Sequence, residues 1–436
     1  MKSLKIAFIL ITFAIANLSI GQKIDTEKLN QYFDSLSVND RFMGSVAILK
    51  DNDIVYKRSV GYIELQSHKK ANSKTKYRIG SISKTFTATL VFKAIEDNKL
   101  TLDQTIDTFF PDIVNASHIT IDHLLNHHSG IHNITNDSIY QNYYTTKQSR
   151  ENLIKGITEA GSDFTPGTKG QYSNSNFILL SFILEDIYGK SYAAILEKEI
   201  LKPLKLKNTY YGGPADKSKN EARSYSYTDG WSKEPETDMS IPIGAGAIVS
   251  TPTDLCLFAK GLLTGQVISQ KSIDKMKSME DNFGRGLFMM PFQGKKAFGH
   301  NGGIDGFRST LGYFEEDGVA IAITSNGTNY DINQIAIIML KAAFNMPFKI
   351  PDLATKVLSN SILDQYSGVY SSEQFPLEMT ISNNGKQLIG QATGQGPFTL
   401  DAINETLFEF LPAGIELEFT DKDTMILRQA GGVFTF

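Results

Sequence analysis

The sequence predicts an α/β fold: a mixed sheet with a helical region inserted between its strands, followed by a small C-terminal β-barrel. Three observations carry this. Strand-like runs occur near both ends of residues 22–350, helix-period runs lie between them, and residues 351–436 hold short strand-like runs alone.

Phe42 to Tyr62 reads as a hairpin, with Val46-Ala47-Ile48-Leu49 and Ile54-Val55-Tyr56 flanking the turn Asp51-Asn52-Asp53. From Ser81 the period changes. Phe86, Leu90, Val91, Ala94 and Ile95 recur at helical spacing until Asp97-Asn98-Lys99. Thr120 caps a second, short helix ending at Ser129-Gly130. Pro166-Gly167 marks a turn, and a helix from Ser175 runs through Leu179, Leu180, Ile183 and Ile187 to a stop at Gly189. Thr251-Pro252-Thr253-Asp254 starts another helix, with a threonine cap, a proline in the first turn and an acid at the positive end of the dipole. Strands are expected at Phe298–Gly299, Phe307–Phe314 and Val319–Ser325, the last two meeting at Glu315-Glu316-Asp317-Gly318. A helix through Ile335, Ile338 and Leu340 closes the segment.

Near Pro351 the texture shifts to turns at short, regular intervals. Tyr366–Tyr370, Leu377–Ile381, Gln387–Ala392, Phe398–Ala402, Leu407–Phe410, Ile415–Phe419, Met425–Arg428 and Val433–Phe436 are candidate strands of a separate barrel. At the other end, Met1 to Lys5 is positively charged, Ile6 to Leu18 is almost wholly apolar, and Ser19-Ile20-Gly21 offers small residues before Gln22. Residues 1–21 therefore read as a secretory signal peptide, too short in its apolar run to span a bilayer comfortably. The expectation is a periplasmic or secreted protein without a membrane span in its mature chain.

Hydrophobic residues at 41% and charged residues at 21% exclude disorder and a collagen-like chain. A net charge of −4 argues against a protein that grips nucleic acid by its phosphates. One cysteine, Cys256, makes neither an internal disulfide nor a cysteine metal site.

Three short motifs carry candidate chemistry. Ser81-Ile82-Ser83-Lys84 puts a serine and a lysine one turn apart on one helix face, so a neutral lysine amine could take the serine proton. The spacing recurs at Ser67/Lys70, Ser73/Lys76 and Ser272/Lys275, but only Ser81 sits where an extended segment meets a buried-looking helix. Taken by itself, Ser81 reads as a helix cap. Tyr172-Ser173-Asn174 offers a proton relay in Tyr172 and an amide donor in Asn174; its spacing recurs at Tyr140/Asn142, and Asn174 or Ser175 also suits a helix cap. His300-Asn301-Gly302-Gly303 follows a short strand, where the glycines would let substrate lie against the strand edge and expose a backbone N–H. His300 could orient a substrate carboxylate or assist proton transfer, though a lone histidine at a strand end is usually structural.

These elements, in this order, resemble the serine hydrolases of the penicillin-binding protein and class C β-lactamase superfamily. Leu124-Leu125-Asn126-His127-His128-Ser129-Gly130, Thr165-Pro166-Gly167, Pro203-Leu204, Gly244-Ala245-Gly246 and Ser250-Thr251-Pro252-Thr253-Asp254-Leu255 also match in order, from about residue 30 to 345. The resemblance implies a β-lactamase/transpeptidase-like mixed antiparallel sheet. It also implies Ser81 as acylated nucleophile, Lys84 as its base and Tyr172 as proton shuttle. Asn174, His300, Gly302 and Gly303 would bind substrate, with the N–H groups of Ser81 and Gly303 as oxyanion donors. His300 stands where β-lactamases of this superfamily commonly have lysine, and Asn301 replaces their threonine. That favours a D,D-peptidase, D-aminopeptidase or esterase-like enzyme over a class C-like β-lactamase. The tail resembles a lipocalin-like domain.

The substrate expected is a small molecule or peptide: a D-amino-acid peptide, a small ester or a β-lactam. The chemistry requires no cofactor and no metal. His123, His127, His128 and His132 invite a zinc reading, but they lack the His-Glu-x-x-His pattern and Ser129-Gly130 breaks the helix between them. Asn133, Asn136, Asn326 and Asn404 head Asn-x-Ser/Thr triplets, which carry little meaning if the source is bacterial, as the resemblance and the leader imply. A non-catalytic binding protein on the same fold is the rival reading, and the oligomeric state is open.

Overall fold

The strand β1 (Phe42–Lys50) is buried along nearly its whole length, and its alternating side chains serve two cores. Val46 and Ile48 face one, Ala47 and Leu49 the other. This places β1 at the middle of a layered structure. The computed structural model describes residues 24–436 except 229, 354 and 430. The expected leader, residues 1–21, lies outside the described residues.

β1 pairs with β2 (Asp53–Val60) through the expected hairpin, in which Asp51 and Asn52 both take positive φ. The rest of the sheet comes from far along the chain: β3 (Phe288–Phe292), β4 (Lys295–Ile304), β5 (Phe307–Phe314) and β6 (Val319–Thr328). The order is β3-β4-β5-β6-β1-β2, every neighbouring pair antiparallel. On one face lie α1 (Thr26–Val38) and the late helix Ile332–Ala343. On the other lie α2 (Ser83–Glu96), α3 (Asn174–Tyr188) and α4 (Pro252–Leu263). α2 is buried almost all round, from Ser83 through Phe92, so it is a core helix and not a surface one. Phe86 of α2 stacks on Phe258 of α4 and couples the two helices.

The expected helix stops hold with one difference. Gly189 ends α3 in the left-handed conformation, and Thr251 caps α4. The helix capped by Thr120 covers only Ile121–Leu125, because His127 takes φ +64 and turns the chain well before Ser129. The helices α1, Arg150–Ala160 and Gln270–Lys277 carry no sequence expectation; the last two bury only thin apolar stripes, whereas α1 buries Leu29, Tyr32, Phe33 and Leu36 at full helical spacing. Strand β3 also escapes notice because Pro291 reads as a strand breaker; it lies on the sheet edge, where a missing N–H costs least.

The tail forms eight antiparallel strands in sequence order: Gly368–Ser372, Phe375–Asn383, Leu388–Ala392, Phe398–Ala402, Leu407–Phe410, Ile415–Phe419, Met425–Gln429 and Gly432–Thr435. Alternate residues such as Met379, Ile381, Leu388, Leu400, Phe408, Leu417 and Leu427 fill its interior. The sheet nearly closes: Phe375 packs on Phe434 and Phe436, and the Thr435 N–H donates to Gln374 Oε1. Arg41, buried beside β1, pairs with Asp401 of the barrel, and Leu411 packs against the core that contains α1.

This ion pair makes a test of the contact between barrel and sheet. Asp401→Ala leaves the buried Arg41 guanidinium without its counter-charge and is expected to cost about 3–5 kcal/mol. Urea unfolding followed through Trp231 reads this, because its indole N–H donates to Asp40 beside Arg41. A midpoint equal to the parent's would contradict the contact.

Candidate active site

The segment Tyr77–Arg78 pairs with Ile248–Ser250 and delivers the chain to a single 3-10 turn, Gly80–Ile82, from which α2 continues. Ser81 sits on that turn, half-buried, ahead of the α-helix itself. Lys84, in the first turn of α2, is fully buried. Its Nζ lies 3.0 Å from Ser81 Oγ and donates to Asn174 Oδ1 at 2.7 Å and to the Ala245 carbonyl at 2.8 Å. A neutral amine has two N–H donors and one lone pair. Two carbonyl acceptors use the donors, and the lone pair is left for the Ser81 hydroxyl proton. Burial holds the Lys84 pKa well below the usual lysine value.

The walls around this amine are aromatic. Nζ is 4.9 Å from the Tyr172 ring centroid and 5.7 Å from that of Phe177. His127 packs on Tyr172 at 4.4 Å, and its Nδ1 accepts from the Ser173 N–H. Burial, then the charge of Lys84, hold His127 well below the ordinary histidine value. His300 is 3% exposed, packs on Phe288 at 4.6 Å and turns Nδ1 to the Asn301 carbonyl. Burial and the Lys84 charge push it down to about 3. The two histidines are therefore neutral aromatic wall at ordinary pH. Burial also raises the Tyr172 phenol, against a smaller pull from Ser81.

Asn174 opens α3, one residue after its N-cap Ser173, which makes no side-chain cap bond. Neither Asn174 nor Ser175 is the cap. The amide of Asn174 is fixed at both ends: Oδ1 accepts from Lys84 and Nδ2 donates to Thr135 Oγ1 at 2.8 Å. Asn133 Oδ1 accepts from the Asn174 N–H and from Thr135 Oγ1, which ties the loop to the helix start.

The glycines after His300 are strand and not loop. Gly302 pairs with Ser309 and Gly303 with Arg308 across β4 and β5. A Cβ on Gly302 would lie 2.0 Å from the Ile79 carbonyl oxygen. Gly80, at φ +51, would place one 2.7 Å from the Gly303 nitrogen. Ser309 Oγ donates to that same Ile79 carbonyl at 2.8 Å. The serine turn and the β4 strand thus meet backbone to backbone, which brings Ser81 and Gly303 to one edge.

That edge opens on a cavity of about 380 Å³ lined by Ser81, Asn174 and Gly303 together with Thr135, Tyr140, Tyr144, Glu234, Ala245 and Asp305, among others. Four expected site residues lie outside this lining: Lys84 sits behind Ser81, Asn174 and Ala245, which it contacts. Tyr172 and His300 pack around Lys84, and Gly302 spaces β4 from Ile79. Thr135, Tyr140, Tyr144, Glu234 and Asp305 have no signal in the sequence that assigns them to a site, and Ala245 shows there only as part of the matched Gly244-Ala245-Gly246 segment, with no role attached. Asn133 stands out there only as an Asn-Ile-Thr triplet. The four clustered histidines go separate ways. His123 accepts from the Thr120 N–H, and His127 accepts from Ser173. His128 meets the Asn126 carbonyl and Asp281, and His132 bridges Asp163 and Asp137.

Residues 29–342 match the β-lactamase family model, and the chain belongs to this family. A teichoic acid D-alanine hydrolase of Staphylococcus aureus is 25% identical over 310 residues, covering 70% of this chain and 74% of that protein. The structure of D-amino acid amidase from Ochrobactrum anthropi SV3 complexed with D-phenylalanine superposes with a TM-score of 0.65 at 25% identity, over 73% of this chain and 99% of that one. The octameric penicillin-binding protein homologue from Pyrococcus abyssi shares the fold over 95% of this chain and 100% of that one, with a TM-score of 0.68 at 23% identity.

The backbone contact between the serine turn and β4 predicts an asymmetry between neighbouring glycines. Gly302→Ala must push the Ile79 carbonyl away and displace Ser81, a loss of about a hundredfold in kcat/KM. Gly303→Ala meets only the Arg308 side chain, at 3.6 Å, and is expected to lose far less. Equal losses in an ester assay would contradict the close approach.

Proposed function

We propose that the protein is a serine hydrolase working through an acyl-enzyme on D-amino-acid peptides or small esters. The observation that carries this is a fully buried Lys84 amine 3.0 Å from the Ser81 hydroxyl, with Asn174 Oδ1 and the Ala245 carbonyl as its other two partners. Ser81 Oγ attacks the substrate carbonyl carbon while its proton passes to Lys84 Nζ. The oxygen of the tetrahedral intermediate takes the negative charge and accepts from the N–H groups of Ser81 and Gly303. Collapse breaks the bond to the leaving nitrogen or oxygen, which receives the proton from Lys84 through the Tyr172 hydroxyl. Because burial disfavours its phenolate, Tyr172 serves as a neutral relay. Water then attacks the serine ester, gives its proton to the same base and releases the acid with Ser81 restored. Asn174 keeps the lysine aimed and presents its amide to substrate.

The names of the amidase and the D-alanine hydrolase support D-amino-acid chemistry for this chain too. His300, neutral in its wall, has no charge to offer a substrate carboxylate, which supports aminopeptidase-like or esterase work on substrates without a carboxylate at that place over β-lactam hydrolysis. Residues 1–21 act as a leader to the periplasm or the exterior, and residues 351–436 form a lipocalin-like barrel domain appended to the catalytic one.

Intact mass after a fluorophosphonate probe tests the nucleophile. The expected adduct forms on the wild type and not on Ser81→Ala; an adduct on both moves the nucleophile elsewhere, and none on a folded wild type favours a binding protein. The base has its own signature. Only neutral Lys84 accepts a proton, so kcat/KM falls as pH drops through its depressed pKa, on an acid limb well below the ordinary lysine value. Lys84→Arg, a cation that keeps its proton, is expected to lose about a thousandfold. Unchanged turnover in that variant would remove Lys84 from the role.

A further inference from the structure

Two carboxylates line the cavity and are differently placed. Asp305 is already neutralised: Oδ2 accepts from buried Arg78 at 2.9 Å, and Oδ1 accepts from the Thr237 N–H and hydroxyl. Arg78 also donates to Glu236 Oε2 at 3.2 Å and to the carbonyls of Thr237 and Gly213, so it has little left to offer. Glu234 is different. Half-buried, it lines the same cavity, yet no residue among those described gives its carboxylate a hydrogen bond or an ion pair. No lysine or arginine occurs in the cavity lining. The amine behind the lining, Lys84, contacts Ser81, Asn174 and Ala245 and is held toward its neutral form by burial. Arg308, exposed on β5 opposite Gly303, lies outside the lining and turns Nη1 to the carbonyls of Asp305 and Phe307.

The free charge of the pocket wall is therefore negative and belongs to Glu234. A carboxylate in the wall of such a cavity, with no cation in the lining to answer it, attracts a positively charged group. The rest of the wall suits a cation as well: Tyr140 and Tyr144 stack at 5.8 Å and present aromatic rings to the same space. We infer that Glu234 receives a free ammonium group on the substrate, which makes unblocked amino-acyl esters or amides the preferred class. This rests on the acyl-enzyme reading of Ser81. A substrate with a carboxylate at that place meets like charge, and an N-acylated one brings no charge to meet it.

The test compares D-alanine methyl ester with N-acetyl-D-alanine methyl ester, reading the ratio of their kcat/KM values in wild type, Glu234→Gln and Glu234→Asp. The wild type is expected to favour the free amine by about tenfold or more, with most of the difference in KM. Glu234→Gln should abolish that preference, and Glu234→Asp should restore part of it. A preference unchanged in Glu234→Gln, or a wild type that favours the N-acetyl ester, overturns the assignment. Turnover of neither ester by an enzyme whose Ser81 still takes the phosphonate overturns the amino-acyl class alone. Failure of the phosphonate as well overturns the acyl-enzyme reading beneath it.

Discussion

The site depends on the burial of one amine. Lys84 lies inside a helix that is itself core, beneath Tyr172, Phe177, His127 and His300, and no carboxylate is paired with it among the described residues. A charged ammonium there would have to shed its water for rings and two carbonyl oxygens. The neutral form avoids that cost, and a neutral amine with both hydrogens engaged turns its lone pair on Ser81. The same packing that makes α2 stable sets the protonation state of its lysine. The two histidines contribute by staying uncharged, since a cation at either would bring further like charge against Lys84, and neither is a carboxylate that would restore its proton.

The second constraint is the meeting of two backbones. Ser81 comes from the turn before α2 and Gly303 from a strand more than two hundred residues later. They share an edge because Gly302 has no side chain to strike Ile79 and Gly80 reaches positive φ beside Gly303. Ser309 Oγ clamps the contact from the next strand. Without this approach Ser81 and Gly303 would not share one edge of the cavity, however well the sheet formed.

The sequence made the frame legible where periodicity is strong. The β1–β2 hairpin, α2, the Thr251-capped helix and the tail strands follow from alternation, caps and turn residues. Amphipathic helices with thin stripes, such as Arg150–Ala160, were not legible, nor was an edge strand carrying a proline. In the site, Ser81, Lys84, Tyr172 and the glycine strand were visible as motifs. Their partners were not. The Ala245 carbonyl that holds Lys84 has no side-chain code, and Asn133 and Thr135 act through loop geometry. Glu234 gains meaning only from being unpaired, which no one-dimensional pattern records. Gly302-Gly303 reads as loop by composition, yet ladder pairing across β4 and β5 overrides that preference.

The barrel joins the account through Arg41, whose burial beside β1 requires the charge of Asp401. The centre of the account remains the amine, and its most direct test is an NMR titration of the lysine side chains, with Lys84 assigned by comparison with Lys84→Met. A resonance that titrates far below the usual lysine value of about 10.4, and that vanishes in the variant, is the predicted result. A Lys84 that stays protonated up to the ordinary lysine range would contradict the neutral base and the mechanism built on it.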